Sequence, residues 1–470
     1  MQAFEKNVIT FCERYELFPR KSGGKVLVAL SGGGDSVALL HVLERNRGIW
    51  GIIIEAVHLN HALRGKESDE DEFFCRELCS SLGIHLTVER LKEGEITQMG
   101  GSVETIARKI RLACVKRIAF ERKASRIASG HTLDDQAETV LHRIIRGTGP
   151  AGLSGILPSR DGLWVRPLLG VSRKEVRDYL SMEGIKYRED STNTDVGYFR
   201  NRIRLELIPF LQERFSSNIT GVLSRLAELS RIQEEYLNQQ MIDAFINCCK
   251  LQNPYKILLE KRKFIDYHKV LKQRIVRYSL ECLEGENRDT DLDEIENILT
   301  LFTRDHGTIN VTKNVQCGVG ENIAAFVRCV KPYESVTLNI PGETVIPLGG
   351  GRIITERAIG DIKVDGRMRV LVNPEIIEKY GTLTVGFVKQ GELITPFGMK
   401  KEVKIKDLFS IISLPNIIRD TLPVVRAGAV PVWIPGLRPS ECLRIPQVKE
   451  KLLYTENALL LTFKDGLQLL

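Results

Sequence analysis

No two cysteines in the sequence stand at C-x-x-C spacing. The ten occur at 12, 75, 79, 114, 248, 249, 282, 317, 329 and 442. That scatter excludes a zinc ribbon or an iron–sulfur site, which need clustered thiolates at short fixed spacing. Cys75 and Cys79 lie one helical turn apart in DEFFCRELCSSLG, beside Phe74, Leu78 and Leu82. Reduced cysteine behaves as a small buried hydrophobe, so core packing accounts for the pair. Free thiols in this number fit a reducing compartment. Also absent is any uninterrupted apolar run of ~20 residues, which excludes a membrane-spanning helix; no membrane partner is expected. The opening stretch, MQAFEKNVITFCERYELF, has acidic residues and lacks the apolar segment of a secretory signal. A cytoplasmic, soluble chain is expected. Charge of one sign is scarce too: 67 Lys and Arg against 60 Asp and Glu leave +7, too little to identify a nucleic-acid binder.

The chain's 470 residues, 43% hydrophobic and 27% charged, are enough for roughly three domains with cores of their own. Charge distribution says more than net charge. In residues 102–126, SVETIARKIRLACVKRIAFERKASR, eight Lys and Arg face two Glu. Composition leaves two readings open, a phosphate-binding face or a solvated amphipathic helix.

Three regions follow one another. In 1–215 the apolar runs KVLVAL (25–30), GIIIEAVHL (51–59), IHLTVERL (84–91) and SRIASG (125–130) read as buried strands. Helical patterns separate them, so the expectation is an α/β domain: a parallel sheet with helices on both faces. Residues 216–330 read as a mainly helical domain, with strands expected in TINVTKNVQCGVG and ENIAAFVRCV. Residues 331–470 read as a small mixed α+β C-terminal domain, with short strands, Pro and Gly turns, and a helix around KIKDLFSIISLP.

The strongest local signal is Ser31-Gly32-Gly33-Gly34-Asp35-Ser36, directly after the first strand and before VALLHVL. Glycines let a backbone approach an anion closely, and a helix N-terminus offers free N–H groups and a favourable dipole. Phosphate binding is the expected use. The loop lacks the Gly-Lys-[Ser/Thr] ending of a Walker A motif and is not a G-x-G-x-x-G dinucleotide fingerprint. A carboxylate beside a phosphate cradle is repelled unless Mg²⁺ lies between them, which makes Asp35 a candidate Mg²⁺ ligand. Capping of the next helix is its plainer role, and the two can coexist.

This loop matches the SGGxDS signature of the PP-loop ATP pyrophosphatases, a Rossmann-like group. His58-Leu59-Asn60-His61-Ala62-Leu63-Arg64-Gly65 follows the second strand, and Ala128 to Thr139, ASGHTLDDQAET, includes the end of the fourth. Arg166-Pro167-Leu168-Leu169, Glu189 to Asn193 and Phe199-Arg200-Asn201-Arg202-Ile203-Arg204 come later. With Leu422 to Arg426 and Val432 to Leu437 near the C-terminus, the set resembles the tRNA(Ile)-lysidine synthetase family, densely to residue 210 and sparsely beyond. One departure is Leu112, where the family often carries an aromatic residue.

The resemblance implies ATP-dependent joining of L-lysine to carbon-2 of the wobble cytidine in the CAU anticodon of tRNA(Ile). The cytidine is adenylated first with loss of pyrophosphate, and lysine then displaces AMP. The product, lysidine, changes decoding from AUG to AUA and charging from Met to Ile. ATP is thus a substrate and Mg²⁺ the expected ion. On that reading Ser31, Gly32, Gly33, Gly34, Asp35 and Ser36 hold phosphates, and His58, His61 and His131 contact the nucleotide. Asp135 and Glu138, three apart on one helix face, hold lysine's ammonium groups, or else complement a helix dipole as first-turn acids. Arg111 takes an anion, either lysine's carboxylate or the α-phosphate, with Arg108 the competitor. Asp35, Asp135, Glu138 and Arg111 form the expected catalytic set. Arg143, Arg146, Arg200, Arg202, Arg204, Lys404 and Arg426 are the expected tRNA contacts, and a homodimer is compatible with the sequence.

Three other readings compete with this one. A tRNA thiolase usually needs a cysteine pair or cluster, and 1–215 offers only Cys12, Cys75, Cys79 and Cys114, none in a motif. An amidotransferase-type synthetase carries a glutaminase, which no segment suggests. A nucleotide-regulated RNA-binding protein without chemistry differs in releasing no pyrophosphate.

Overall fold

The computed structural model describes residues 3–18, 24–60, 65–91, 103–189, 199–285, 291–331, 333–359, 362–411, 414–444, 447–448, 451–452 and 458–466. The chain packs as two compact units, Met1–Tyr236 and Leu237–Leu470.

In the first unit the apolar runs become strands β1 (Lys25–Ala29), β2 (Ile53–Asn60), β3 (His85–Arg90) and β4 (Arg126–Ala128). They pair in parallel, β3 to β2 to β1 to β4. A small hairpin, β5 (Ser159–Arg160) and β6 (Trp164–Val165), extends the sheet beyond β4. Alternation within the central strands feeds two cores. Val26, Val28, Ile54 and Ala56 join one that also holds Cys75 and Cys79. Leu27 and Val57 join the other, with Cys114, Val115, Ile118 and Ala119. A sheet covered on both faces needs near-continuous apolar strands, which is why these runs are so rich in Val and Ile.

The connecting helices are α1 (Ala3–Arg14), α2 (Gly34–Trp50), α3 (Lys66–Ser81), α4 (Val103–Glu121), α5 (Leu133–Arg146) and α6 (Arg173–Met182). Two loops leave adjacent parallel strands: residues 30–33 after β1, and residues 129–132 after β4. Ligands in open α/β sheets gather at this kind of switch point, outside the strand C-termini.

The expected long helix forms as α7 (Ile219–Cys248), and the boundary between the units falls inside it. The second unit contains further helices, Lys269–Glu284 and Leu292–Phe302, and a five-stranded antiparallel sheet. Three of its strands, Gly307–Asn310, Val315–Val319 and Ile323–Arg328, fall in the two segments expected to be extended. The other two, Cys249–Asn253 and Lys256–Glu260, were not singled out. Their signal is Asn253-Pro254: the Asn253 Oδ1 accepts from the Tyr255 and Lys256 N–H groups at 2.9 and 3.0 Å, an Asx turn that closes the hairpin. Further on lie a five-stranded sheet including Leu383–Phe387, Pro423–Ala427 and Val430–Ile434, a four-stranded sheet, and the expected helix, Ile405–Ile411. All ten cysteines are free. Among the described residues no helix is long and apolar enough to cross a membrane.

Arg426, expected at the tRNA surface, is instead 1% exposed. Its guanidinium ion-pairs with Glu392, with Nη2 to Oε2 at 2.7 Å, and donates to the Phe387 carbonyl at 2.7 Å. A charge buried this deeply persists only when paired, so Arg426 braces the sheet and is withheld from RNA. Arg426→Ala leaves the buried Glu392 without its counter-charge, keeping only the Lys389 N–H at 3.0 Å, and about 3–5 kcal/mol of stability should be lost. Denaturant titration of the full chain checks this.

Candidate active site

The loop after β1 folds as its residues dictate. Gly32 takes φ +88°, a conformation that favours glycine. The Ser31 N–H donates to Ser36 Oγ at 3.2 Å, and Ser36 Oγ donates to the Gly33 carbonyl at 2.9 Å. The backbone of Arg188 closes the other side, its N–H donating to the Gly32 carbonyl at 2.9 Å. The α2 N-terminus begins at Gly34 and has no side-chain cap. Its leading N–H groups therefore suit an anion.

The loop after β4 presses directly on this turn. A Cβ at Gly130 would stand 2.9 Å from the Asp35 carbonyl carbon and 3.0 Å from its oxygen. Only glycine lets the two loops approach so closely. Thr132 then caps α5 by a capping box with Asp135, whose Oδ2 accepts from the Thr132 N–H and Oγ1 at 2.9 and 3.0 Å.

Asp135 and Glu138 meet as their spacing predicts, and three arginines converge on them. Arg173 Nη2 lies 3.2 Å from Asp135, and its Nη1 lies 3.4 Å from Glu138. Arg200 reaches Asp135 at 3.1 Å and Glu138 at 2.9 Å. Arg204 reaches Glu138 at 2.6 Å and Asp135 at 3.6 Å. Glu138's side chain is 0% exposed; a carboxylate so buried requires this many counter-charges. Burial alone pushes Asp135 up, but Arg173, Arg200 and His131 outweigh it, and its pKa ends below the ordinary value. Arg173 also stands 3.7 Å from Asp35, so it links the phosphate loop to the carboxylate pair. It was not singled out in the sequence. The signal was the Ser172-x-x-Glu175 capping box, which fixes Arg173 at the first position of α6.

Asp35 behaves differently. Burial raises its carboxyl to about 6, with Asp134 and Asp135 nearby and Arg173 only partly offsetting. A half-buried acid this poorly compensated fits a cation. Among the described residues no three His, Cys, Asp or Glu cluster as a metal set. That is compatible with Mg²⁺, which is commonly held by one or two carboxylates together with substrate phosphates and water. At limiting Mg²⁺, kcat/KM for ATP should fall on the acid side with a midpoint near pH 6, because protonated Asp35 cannot hold the ion. Raising Mg²⁺ should move that limb to lower pH. A limb that ignores Mg²⁺ in the pH profile would contradict the assignment.

His58 is 4% exposed and its Nδ1 pairs with the Leu30 carbonyl at 2.9 Å. A carbonyl only accepts, so Nδ1 carries the proton and the buried Nε2, with no partner among the described residues, is left as an acceptor. Burial lowers the pKa of His58, keeping it neutral. His131 accepts from or donates to Ser129 Oγ at 3.0 Å, and burial pushes it down to about 4. Arg111, Arg166 and Arg200 all act electrostatically on His131, so the cationic wall adjoins the carboxylates. Arg108 acts on Arg111 and on Arg166, and burial, with Arg160 and Arg108, lowers Arg166 to about 10. His61 lies outside the described residues.

The expected RNA contacts divide. Arg200 and Arg204 turn inward and ion-pair with Asp135 and Glu138, a correction whose cause is the buried charge they neutralise. Arg143 is likewise turned inward, its Nη1 donating to the Gly152 and Gly155 carbonyls at 2.6 and 3.0 Å. Arg146 and Lys404 are exposed, and exposed Arg202 lies 5.3 Å over the Phe199 ring.

Comparison with known proteins agrees with this architecture. Residues 3–211 match a family model described as PP-loop domain, and 383–448 match one described as TilS substrate C-terminal domain. The chain is 33% identical over 469 residues to a tRNA(Ile)-lysidine synthase of Clostridium perfringens, covering 96% of this chain and 98% of that one. It is 30% identical over 456 residues to that of Clostridium tetani, covering 95% and 96%. With that of Symbiobacterium thermophilum it shares 34% identity over 436 residues, covering 88% and 90%. Similarity this long, on a phosphate loop fused to a buried carboxylate–arginine centre, means that the chain belongs to the tRNA(Ile)-lysidine synthase family.

Proposed function

We propose that the crevice between the two loops is where lysine is joined to the wobble cytidine of tRNA(Ile). The chain is an ATP-dependent ligase of tRNA. In the first step the cytidine 2-oxygen attacks the α-phosphate and pyrophosphate leaves. Residues 31–36 cradle the departing phosphates with backbone N–H groups, so the negative charge that develops is met by fixed dipoles. Asp35 would hold Mg²⁺, which supplies charge neutralisation on the pyrophosphate. His58, neutral and accepting at Nε2, suits a hydroxyl or amino group of the nucleoside.

In the second step the lysine ε-amine attacks carbon-2 and AMP departs. Asp135 anchors lysine's ammonium groups, and the fully buried Glu138 holds Arg173, Arg200 and Arg204 in place beside it. Asp135, held below the ordinary carboxylate range, suits anchoring better than proton removal. The desolvated cationic wall that lowers Arg166 would also lower the amine's pKa, since like charges disfavour the protonated form. Arg111 takes lysine's carboxylate by charge-assisted bonds. AMP leaves carrying the cytidine 2-oxygen, so the C–O bond broken at carbon-2 is replaced by the new C–N bond, and the amine proton is released to solvent.

The observation that carries this reading is the fully buried Glu138 beside the phosphate loop. Incubating the protein with labelled lysine, ATP, Mg²⁺ and a tRNA(Ile) transcript, then digesting to nucleosides, should give labelled lysidine by mass spectrometry. Unmodified cytidine under those conditions would overturn it.

A further inference from the structure

Helix α4 (Val103–Glu121) buries one face and leaves the opposite one bare. Cys114, Val115, Ile118 and Ala119 enter the core. Lys109, Ala113, Lys116 and Phe120 are exposed, and at ~3.6 residues per turn they fall on one narrow stripe opposite that core. Phe120 is 87% exposed, more than any other large apolar side chain among the described residues. Lys123 continues the line just past the helix end. Its φ is +55°, the left-handed conformation that favours glycine. The amine therefore occupies a backbone position where the side chain is a conformational cost.

The lysines on this stripe are unpaired among the described residues. Arg117, on the helix flank, is taken up by Glu89 and Glu121 at 2.8 and 2.9 Å. Lys109, Lys116 and Lys123 have no ion pair or hydrogen bond to a side chain among the described residues. At ~1.5 Å per residue the three amines spread over about 20 Å. The track starts beside Arg108 and Arg111, at the cationic wall of the site, and runs away from it. Unpaired cations at intervals of about 10 Å around one bare aromatic ring are complementary to a polyanion carrying planar bases. A hydrophobic protein partner would be met by an apolar patch, not by a lone ring between lysines.

We propose that the Lys109–Lys116–Phe120–Lys123 stripe is a second contact surface for the tRNA substrate, outside the catalytic crevice. The lysines hold backbone phosphates, and Phe120 stacks on an unpaired base. This rests on the proposed function, since the RNA whose target base occupies the crevice is the one that reaches the stripe.

The test is steady-state kinetics and filter binding on the full chain with ATP, lysine and tRNA(Ile). Phe120→Ala should raise KM and Kd for tRNA about fivefold or more, the low end of base–aromatic stacking, with kcat held. Phe120→Trp should restore affinity and Phe120→Leu should not. Combined Lys109→Glu, Lys116→Glu and Lys123→Glu should lower the slope of log Kd against log salt by about 2–3. Lys123→Gly should make the protein more stable while weakening RNA binding, a pair of opposite changes that a structural role cannot produce. Unchanged KM and salt slope would overturn the proposal. So would a change confined to sedimentation of the protein alone, which would make the stripe a protein–protein contact. Failure of the underlying reading is distinct: the unaltered protein would then make no lysidine.

Discussion

Glu138→Gln should reduce lysidine formation by about a thousandfold, the upper range for removing one preorganised charged partner. Gln keeps the shape of the side chain but cannot balance charge. Three guanidiniums converge on Glu138 at 3.4 Å or less. Without its carboxylate they crowd one another and repel an incoming ammonium. The loss should fall on the second step. Pyrophosphate release driven by ATP and tRNA should persist, because the phosphate loop is built from other residues, whereas AMP release should stop. Quench-flow measurement of both products separates the steps. Activity within tenfold of the unaltered protein, in a variant whose folding is intact by calorimetry, would remove Glu138 from the site. Asp135→Asn is the companion variant and should behave similarly, with some added loss of stability from the weakened cap of α5.

Gly130→Ala should be nearly as damaging for a different reason. The added methyl meets the Asp35 carbonyl carbon at 2.9 Å and the Ser36 nitrogen at 3.1 Å. Both are backbone atoms in the first turn of α2, so relief requires moving the loop that holds phosphates. Overpacking of this kind costs about 1–3 kcal/mol of stability. Displacement of a catalytic cradle by about 1 Å can cost about a hundredfold in rate. KM for ATP should rise and kcat/KM for ATP should fall by that order, while tRNA binding in filter assays stays near normal. An unchanged KM for ATP would show that the two loops need not touch.

Much of the fold could be read because burial on both faces leaves plain apolar runs. β1 to β4 fall where KVLVAL, GIIIEAVHL, IHLTVERL and SRIASG lie. The loop 31–36 was legible for a related reason: glycines at a strand–helix junction have few other uses. Asp135 and Glu138 could be paired from spacing alone. Their partners could not, because Arg173, Arg200 and Arg204 come from 35 to 69 positions downstream of those acids. Only the folded chain shows that arginines which look like surface RNA contacts neutralise a buried carboxylate. The burial of Arg426 is hidden from the sequence for the same cause. An arginine in Leu422-Pro423-Val424-Val425-Arg426 looks like an exposed cation, and its partner Glu392 lies 34 residues away. The hairpin over 249–260 carries little signal in the sequence because its strands are short and one is partly polar, CKLQN. Asn253-Pro254 was the local cue.

One crevice should perform adenylation and then lysine transfer. The direct measurement follows pyrophosphate and AMP together, from one enzyme sample, with and without lysine. With ATP and tRNA(Ile) but no lysine, a pyrophosphate burst matching the enzyme sites should appear and AMP should not. Adding lysine should release AMP in step with lysidine. Pyrophosphate release without tRNA, or AMP release without lysine, would contradict the account.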